Sequence, residues 1–285
     1  MDRGRRAAAR GIADDPMPFT EGPVRIAYQT NGREQGPRLL MVMGFGMRGN
    51  VWLPQVQGLG DDHSLVWFDN RGIGESDLPP TTFRMGELAA DAVRVADALG
   101  WSQFHVVGVS LGGMVAQEIA LAVPDRVRSL TLIATHAGGP LGVFPTFKGF
   151  FHWVQAAFGP QSGRVHNLTR LLYPPSFLAT VDPADLAARM KLQVGTRPPP
   201  RTALMQLWAV IRHNTRRRLA SLQTPTQVIK PEADLLVRPF HSDFLAAQIP
   251  GARLVPIPDA GHGLTFHAAA AVNAAIRGHV ATHEG

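Results

Sequence analysis

Residues 104–120 read FHVVGVSLGGMVAQEIA. An apolar, β-branched run ends in glycine, valine and serine, and a helical pattern starts at once. The join, Gly108-Val109-Ser110-Leu111-Gly112, has the form G-x-S-x-G. A strand that turns into a helix within one residue forces unusual backbone angles on that residue. Small residues are needed at 108 and 112, because the two segments approach closely there. Ser110 would sit at the tip of that turn.

The rest of the chain repeats the same alternation. Apolar strand patterns fall at 24–30, 39–43, 64–68, 127–135, 226–230 and 252–257, besides 104–109. Apolar positions at helical spacing fall at 84–99, 111–122, near 239–248 and near 265–281, with Gly100 stopping the first of these helices. Strands alternating with helices predict a parallel sheet covered on both faces. Residues 137–215 interrupt the pattern. They hold many aromatic side chains and the breaker Pro198-Pro199-Pro200, but no strand pattern. They are expected to form a helical cap, residues 21–136 and 216–285 the α/β core, and residues 1–20 a disordered tail.

Composition narrows the chemistry. The 285 residues include no cysteine, so disulfides, thiolate nucleophiles and Cys-based zinc sites are excluded. No metal or other cofactor is expected. The net charge is +6, and only Lys148, Lys191 and Lys230 are lysines. The run Arg216-Arg217-Arg218 reads as a solvated helix start rather than a nucleic-acid patch, which needs a wider basic face. No apolar run reaches the ~18 residues of a membrane span. The basic N-terminus lacks the apolar core of a signal peptide, so a cytoplasmic location is expected.

Two segments compete to define the activity. GFGMRG, residues 44–49, matches G-x-G-x-x-G after a strand, and Asp69 follows about twenty residues later, the spacing of a dinucleotide fingerprint. Against it, Pro54, Gly58 and Gly60 leave room for only a short helix after Gly49. The second segment is the serine turn. A serine hydroxyl needs a base within hydrogen-bond reach and a group that orients the base. Of eleven histidines, His262 alone follows the last strand pattern on a glycine-flanked loop before the final helix. The orienting acid should follow the preceding strand. Glu232 and Asp234 are available there, and the short Asp234 before Leu235-Leu236-Val237 is preferred. Asp259 is a further alternative, read mainly as a turn residue.

Four stretches in this order, MGFGM, DNRGIGESD, GVSLGG, and EADLLV followed by DAGHG, make residues 24–281 resemble the α/β-hydrolase fold family. The resemblance implies a mostly parallel eight-stranded sheet, a cap after the sixth strand and a Ser110-Asp234-His262 triad. It assigns the oxyanion hole to the backbone N–H groups of Phe45 and Leu111, and it makes Asp69, Arg71 and Ser76 scaffolding. Two positions depart from the family pattern: Met43 stands where histidine usually steadies the oxyanion loop, and Lys230-Pro231 stand where a glycine usually precedes the acid. A serine nucleophile excludes the relatives that use aspartate there, the haloalkane dehalogenases and epoxide hydrolases.

The expected activity is acyl transfer on a small-molecule ester, lactone or thioester with an apolar group. The alternatives are a slow or non-catalytic small-molecule receptor of the same fold, and a dinucleotide-binding protein using Gly44, Gly46 and Gly49. His136, Phe144, Phe150, Trp153 and Trp208 are candidates for the substrate pocket, with Leu141 equally open.

Overall fold

The computed structural model describes residues 17–139, 142, 144–194 and 198–284. Most of the expected tail and Leu141 lie outside the described residues. Seven strands form one sheet: β1 (Tyr28–Gly32), β2 (Arg38–Val42), β3 (Ser64–Phe68), β4 (Phe104–Val109), β5 (Val127–Ile133), β6 (Thr226–Pro231) and β7 (Arg253–Ile257). Their order is β1-β3-β2-β4-β5-β6-β7. β1 runs antiparallel to β3, and every other pairing is parallel.

Among the described residues the sheet has seven strands, where the resemblance implies eight. Just before β1, Phe19 and Ala27 form an isolated antiparallel bridge. Thr20 N–H donates to Ile26 O, and Tyr28 N–H to Pro18 O. Pro18 and Pro23 lack backbone donors and bracket this segment, which keeps the ladder from extending. The first strand pattern, expected at 24–30, appears four residues later for the same reason.

Side chains of the parallel strands alternate between two apolar cores. Leu40, Val42, Val106, Leu130 and Val228 enter one. Leu39, Met41, Val107, Ile133 and Ile229 enter the other. α2 (Met85–Ala98), α3 (Leu111–Ala122) and α9 (Phe240–Gln248) cover the first face. α1 (Leu53–Leu59) and α11 (Ala269–Thr282) cover the second, with the short α10 (Leu264–His267) leading into α11. α2 shows why the sequence folds so: Leu88, Ala92 and Val95 bury one stripe, and Glu87 caps the first turn by accepting from Arg84 N–H at 2.7 Å.

Between β5 and β6 lie α4 (Phe147–Phe158), α5 (Gln161–Leu172), α6 (Pro175–Thr180), α7 (Pro183–Val194) and α8 (Pro200–Arg212). The chain enters and leaves this segment through adjacent backbones, where Gly138 bridges Asn214 and Thr215 N–H donates to Ala137 O at 3.0 Å. No helix among the described residues is long and apolar enough to cross a membrane.

The strand order fixes where a site can form. From β2 the chain crosses to β3 on one side; from β4 onward it proceeds on the other. The loops after β2 and β4 therefore diverge and leave a crevice at the C-terminal edge of the sheet.

Candidate active site

Ser110 occupies the single residue between β4 and α3, at φ 57° and ψ −120°. This is a strained conformation for a non-glycine residue, held by its surroundings. Ser110 N–H donates to Ile133 O at 2.9 Å, and Thr135 Oγ1 donates to Ser110 O at 2.7 Å. The turn closes only because its flanks have no side chains. A Cβ on Gly108 would lie 2.2 Å from Gly112 O, and one on Gly112 would lie 2.0 Å from Val42 O.

His262 follows β7 and brings Nε2 to 3.1 Å from Ser110 Oγ. Its Nδ1 lies 2.8 Å from Asp234 Oδ2. Asp234 follows β6, and its other oxygen accepts from Leu236 N–H at 2.7 Å and Val237 N–H at 3.0 Å. The carboxylate is thus buried, satisfied and fixed in direction. The two loops are also tied to each other and to the inserted helices: Ala233 N–H donates to Ala260 O at 2.8 Å, and Gly263 N–H to Leu172 O at 2.8 Å.

The other candidate acids are placed elsewhere. Glu232 is exposed. Asp259 sits at φ 51° in a turn, and its carboxylate accepts from Ser176 Oγ. The unusual Lys230-Pro231 pair does not disturb the loop: Lys230 Nζ reaches both Asp243 oxygens at 2.8 Å, and Pro231 ends β6 in register with Ile257.

The loop after β2 lies against the nucleophile; a Cβ on Gly44 would be 3.3 Å from Ser110 Cβ. This puts Phe45 beside the serine on one side. On the other, Leu111 opens α3, and an opening N–H has no partner within its own helix. The missing histidine at Met43 is replaced by contacts the sequence did not announce. Gln206 Oε1, from α8, accepts from Gly46 N–H at 2.8 Å. Asn70 Nδ2 donates to Met43 O at 3.2 Å.

The dinucleotide reading fails on geometry. Gly49 N–H, which should face a pyrophosphate, donates instead to Asp69 Oδ1 at 2.7 Å. Asp69 Oδ2 accepts from Glu75 N–H at 3.1 Å, so both carboxylate oxygens are engaged in the turn and neither is free for a ribose. Burial pushes the Asp69 carboxyl above its ordinary value, opposed by these same bonds. Arg71 grips Asp91 with two bonds, at 2.6 and 2.8 Å, and Ser76 Oγ accepts from Ala27 N–H at 2.9 Å.

A cavity of about 410 Å³ opens over Ser110. Met43, Met47, Val51, Leu168 and Leu172 are among its walls, and among the described lining side chains the hydrogen-bonding groups are those of Ser110, Trp153, Arg164, Gln193, His262 and Thr265. Trp153 is among its lining residues. The four other candidates are placed elsewhere. Phe144, Phe150 and Trp208 are not among its lining residues and are 61 %, 48 % and 46 % exposed. Trp153 and Ala156 mark the cavity-facing side of α4; at 3.6 residues per turn Phe147 and Phe151 lie on the far side and Phe150 roughly 90° away. Trp208 instead lies under the Arg212 guanidinium, 5.4 Å from its ring centre.

His136 is buried outside the cavity lining, with Nδ1 accepting from Gly138 N–H at 2.9 Å. Its ring packs 5.5 Å from that of His241 and 6.4 Å from that of His213. Burial, aided by the neighbouring histidines, pushes the His136 imidazole down to about 3; burial pushes His213 down to about 4. The His136 and His213 rings are neutral structural groups where the inserted segment joins the sheet. No local pattern announces the meeting of the three rings, because they come from three separate parts of the chain.

The family model described as the alpha/beta hydrolase fold matches residues 37–268. "Putative carbamate hydrolase RutD" of Azorhizobium caulinodans is 31 % identical over 255 residues, covering 87 % of this chain and 92 % of that protein. A hydrolase from Pseudomonas aeruginosa PA01 superposes with a TM-score of 0.78 at 26 % identity, over 94 % of this chain and 99 % of its own. Est816, described as an N-acyl homoserine lactone degrading enzyme, superposes with a TM-score of 0.74 at 27 % identity, over 92 % of this chain and 99 % of its own. With this sheet, this serine turn and this match over most of its length, the chain belongs to the alpha/beta hydrolase fold family.

Proposed function

We propose that this protein is a serine hydrolase that cleaves a carboxylic ester, lactone or thioester bearing an apolar group, through an acyl-enzyme on Ser110. One observation carries the reading: Ser110 Oγ lies 3.1 Å from His262 Nε2 beneath a largely apolar cavity of about 410 Å³. His262 takes the hydroxyl proton as Oγ attacks the carbonyl carbon. The N–H groups of Phe45 and Leu111 meet the developing oxyanion, each worth on the order of 3 kcal/mol of barrier. Asp234 holds Nδ1–H toward itself and stabilises the imidazolium. His262 then protonates the leaving oxygen or sulfur, and water repeats the sequence on the acyl-enzyme.

The five helices of residues 137–215 act as the cap, and their α4 and α5 faces set what fits over the serine. The names of the relatives, carbamate hydrolase and N-acyl homoserine lactone degrading enzyme, describe carbonyl compounds with a heteroatom leaving group. The same attack serves them all. The apolar lining favours an apolar acyl or alcohol group over a small polar substrate.

The test is turnover of p-nitrophenyl butyrate by the purified chain and by Ser110→Ala. Turnover that disappears with the hydroxyl supports the reading. Turnover that survives it, or ligand binding without turnover in the unaltered chain, rejects it; the second outcome would point to a receptor.

A further inference from the structure

The excess positive charge of this chain is confined to one segment. Residues 137–215 hold eight basic and two acidic side chains, a net of +6 that equals the net charge of all 285 residues. No Asp or Glu occurs between Asp125 and Asp182. The same segment leaves several of its large apolar side chains exposed. Phe147 is 91 % exposed and Phe151 56 %. Phe147, Phe150 and Phe151 are spaced three and four residues apart and so share one side of α4. The Phe150 and Trp153 ring centres are 6.1 Å apart. Lys148, Arg170, Arg201 and Arg212, on α4, α5 and α8, are exposed as well.

This surface is continuous with the catalytic cavity. Trp153 and Val165 are exposed to solvent and also line the cavity above Ser110. Apolar surface of this extent, with basic side chains on the same helices, is the pattern of an element that lies in a lipid headgroup layer.

We propose that the exposed face of α4 and α5 docks on an anionic lipid–water interface, and that the apolar part of the substrate passes from that interface into the cavity. Phenylalanine and tryptophan rings enter the headgroup–acyl boundary, while the flanking lysine and arginines meet anionic headgroups. A protein partner or a second copy covering the same face would close the rim at Trp153 and Val165. A lipid layer delivers substrate through it. Docking stands apart from catalysis; only the identity of what is delivered rests on the hydrolase reading.

The experiment uses the full chain carrying Ser110→Ala, which removes turnover from the measurement. It is sedimented with vesicles of phosphatidylcholine, with and without phosphatidylglycerol. The expected result is binding to the anionic vesicles at least about tenfold tighter than to the neutral ones, weakening as salt is raised. Phe147→Ser with Phe151→Ser, neither of which lines the cavity, should weaken that binding by about tenfold or more. The same pair placed in the chain with Ser110 intact should leave turnover of a soluble short-chain ester within about twofold. Lys148→Glu should reduce the anionic preference alone. Absence of vesicle binding, equal binding to both lipids, or binding untouched by the double substitution overturns the proposal. So does a self-associating chain that becomes monomeric with the double substitution and never binds vesicles. Vesicle binding without ester turnover in the unaltered chain would leave the docking standing and reject the hydrolase reading.

Discussion

Gln206 is expected to act on catalysis without touching substrate. Its side chain is fully buried, and Oε1 accepts from Gly46 N–H at 2.8 Å across 160 residues of sequence. Gly46 immediately follows Phe45, whose N–H is assigned to the oxyanion. Gln206→Ala removes the acceptor and leaves a buried N–H unpaired, a cost of about 1–3 kcal/mol. The loop relieves that cost by moving, and the movement displaces Phe45 from Ser110. Complete loss of one oxyanion donor costs about 3–4 kcal/mol, which bounds the effect. A partial displacement of about 1.4–2.8 kcal/mol corresponds to a fall in kcat of about ten- to a hundredfold. KM should change by less than about threefold, because the donor acts mainly on charge that develops in the transition state. Steady-state kinetics on p-nitrophenyl butyrate reads both constants, with a urea titration showing that the variant remains folded. A kcat within about twofold of the parent, or a loss carried by KM alone, refutes a positioning role for Gln206.

Other consequences can be measured independently. Asp234→Asn should lower kcat by about 10³–10⁴-fold by upsetting the tautomer of His262, while binding of a substrate analogue persists; a loss of less than tenfold would show that another group orients the ring. Asp69→Ala should destabilise the fold by about 1–3 kcal/mol in urea, since it strips the acceptor from the buried Gly49 N–H and from the part-buried Glu75 N–H; a shift below about 0.5 kcal/mol would contradict the scaffold role. Acid should weaken the fold through His136 and His213, which burial holds down to about 3 and about 4. In the unfolded chain these rings take up protons below about pH 6.5, whereas in the folded chain His213 stays neutral until about 4 and His136 until about 3. Stability from these groups is therefore full above about pH 6.5 and is lost as pH falls toward 4, by up to about 1.4 kcal/mol per pH unit for each ring. Glu118 Oε1 stands 3.7 Å from His213 Nδ1, beyond hydrogen-bond distance. His213→Leu should therefore flatten the loss between pH 7.5 and 5 in urea midpoints; an unchanged loss would remove His213 from the account.

What could be read from the sequence was what is encoded locally. Ser110, Asp234 and His262 each stand just past a strand pattern, among glycines or before a short apolar run, and parallel strands carry all such loops to the same edge. Apolar runs such as 39–43 and 104–109 reappear within a residue of β2 and β4 because central parallel strands need little else to define them. The first strand drifted because its limits depend on the pairing of Phe19 with Ala27, a tertiary contact. Aromatic content predicted a pocket near α4 but could not say which side of the helix faced it. Trp153 and Phe150 are three residues apart, and only the first lines the cavity. Gln206 and the His136–His213–His241 cluster were invisible for a related reason. Each depends on contacts between distant segments, and no local pattern marks a glutamine or histidine that will be buried.

Treatment with a fluorophosphonate, followed by intact-mass measurement and peptide mapping, tests the central claim most directly. The hydroxyl activated by His262 should take up a single phosphonyl group, mapped to residue 110, and His262→Ala should slow the reaction by orders of magnitude. A chain that stays unlabelled while it turns over ester, or a label on any other residue, would contradict the account.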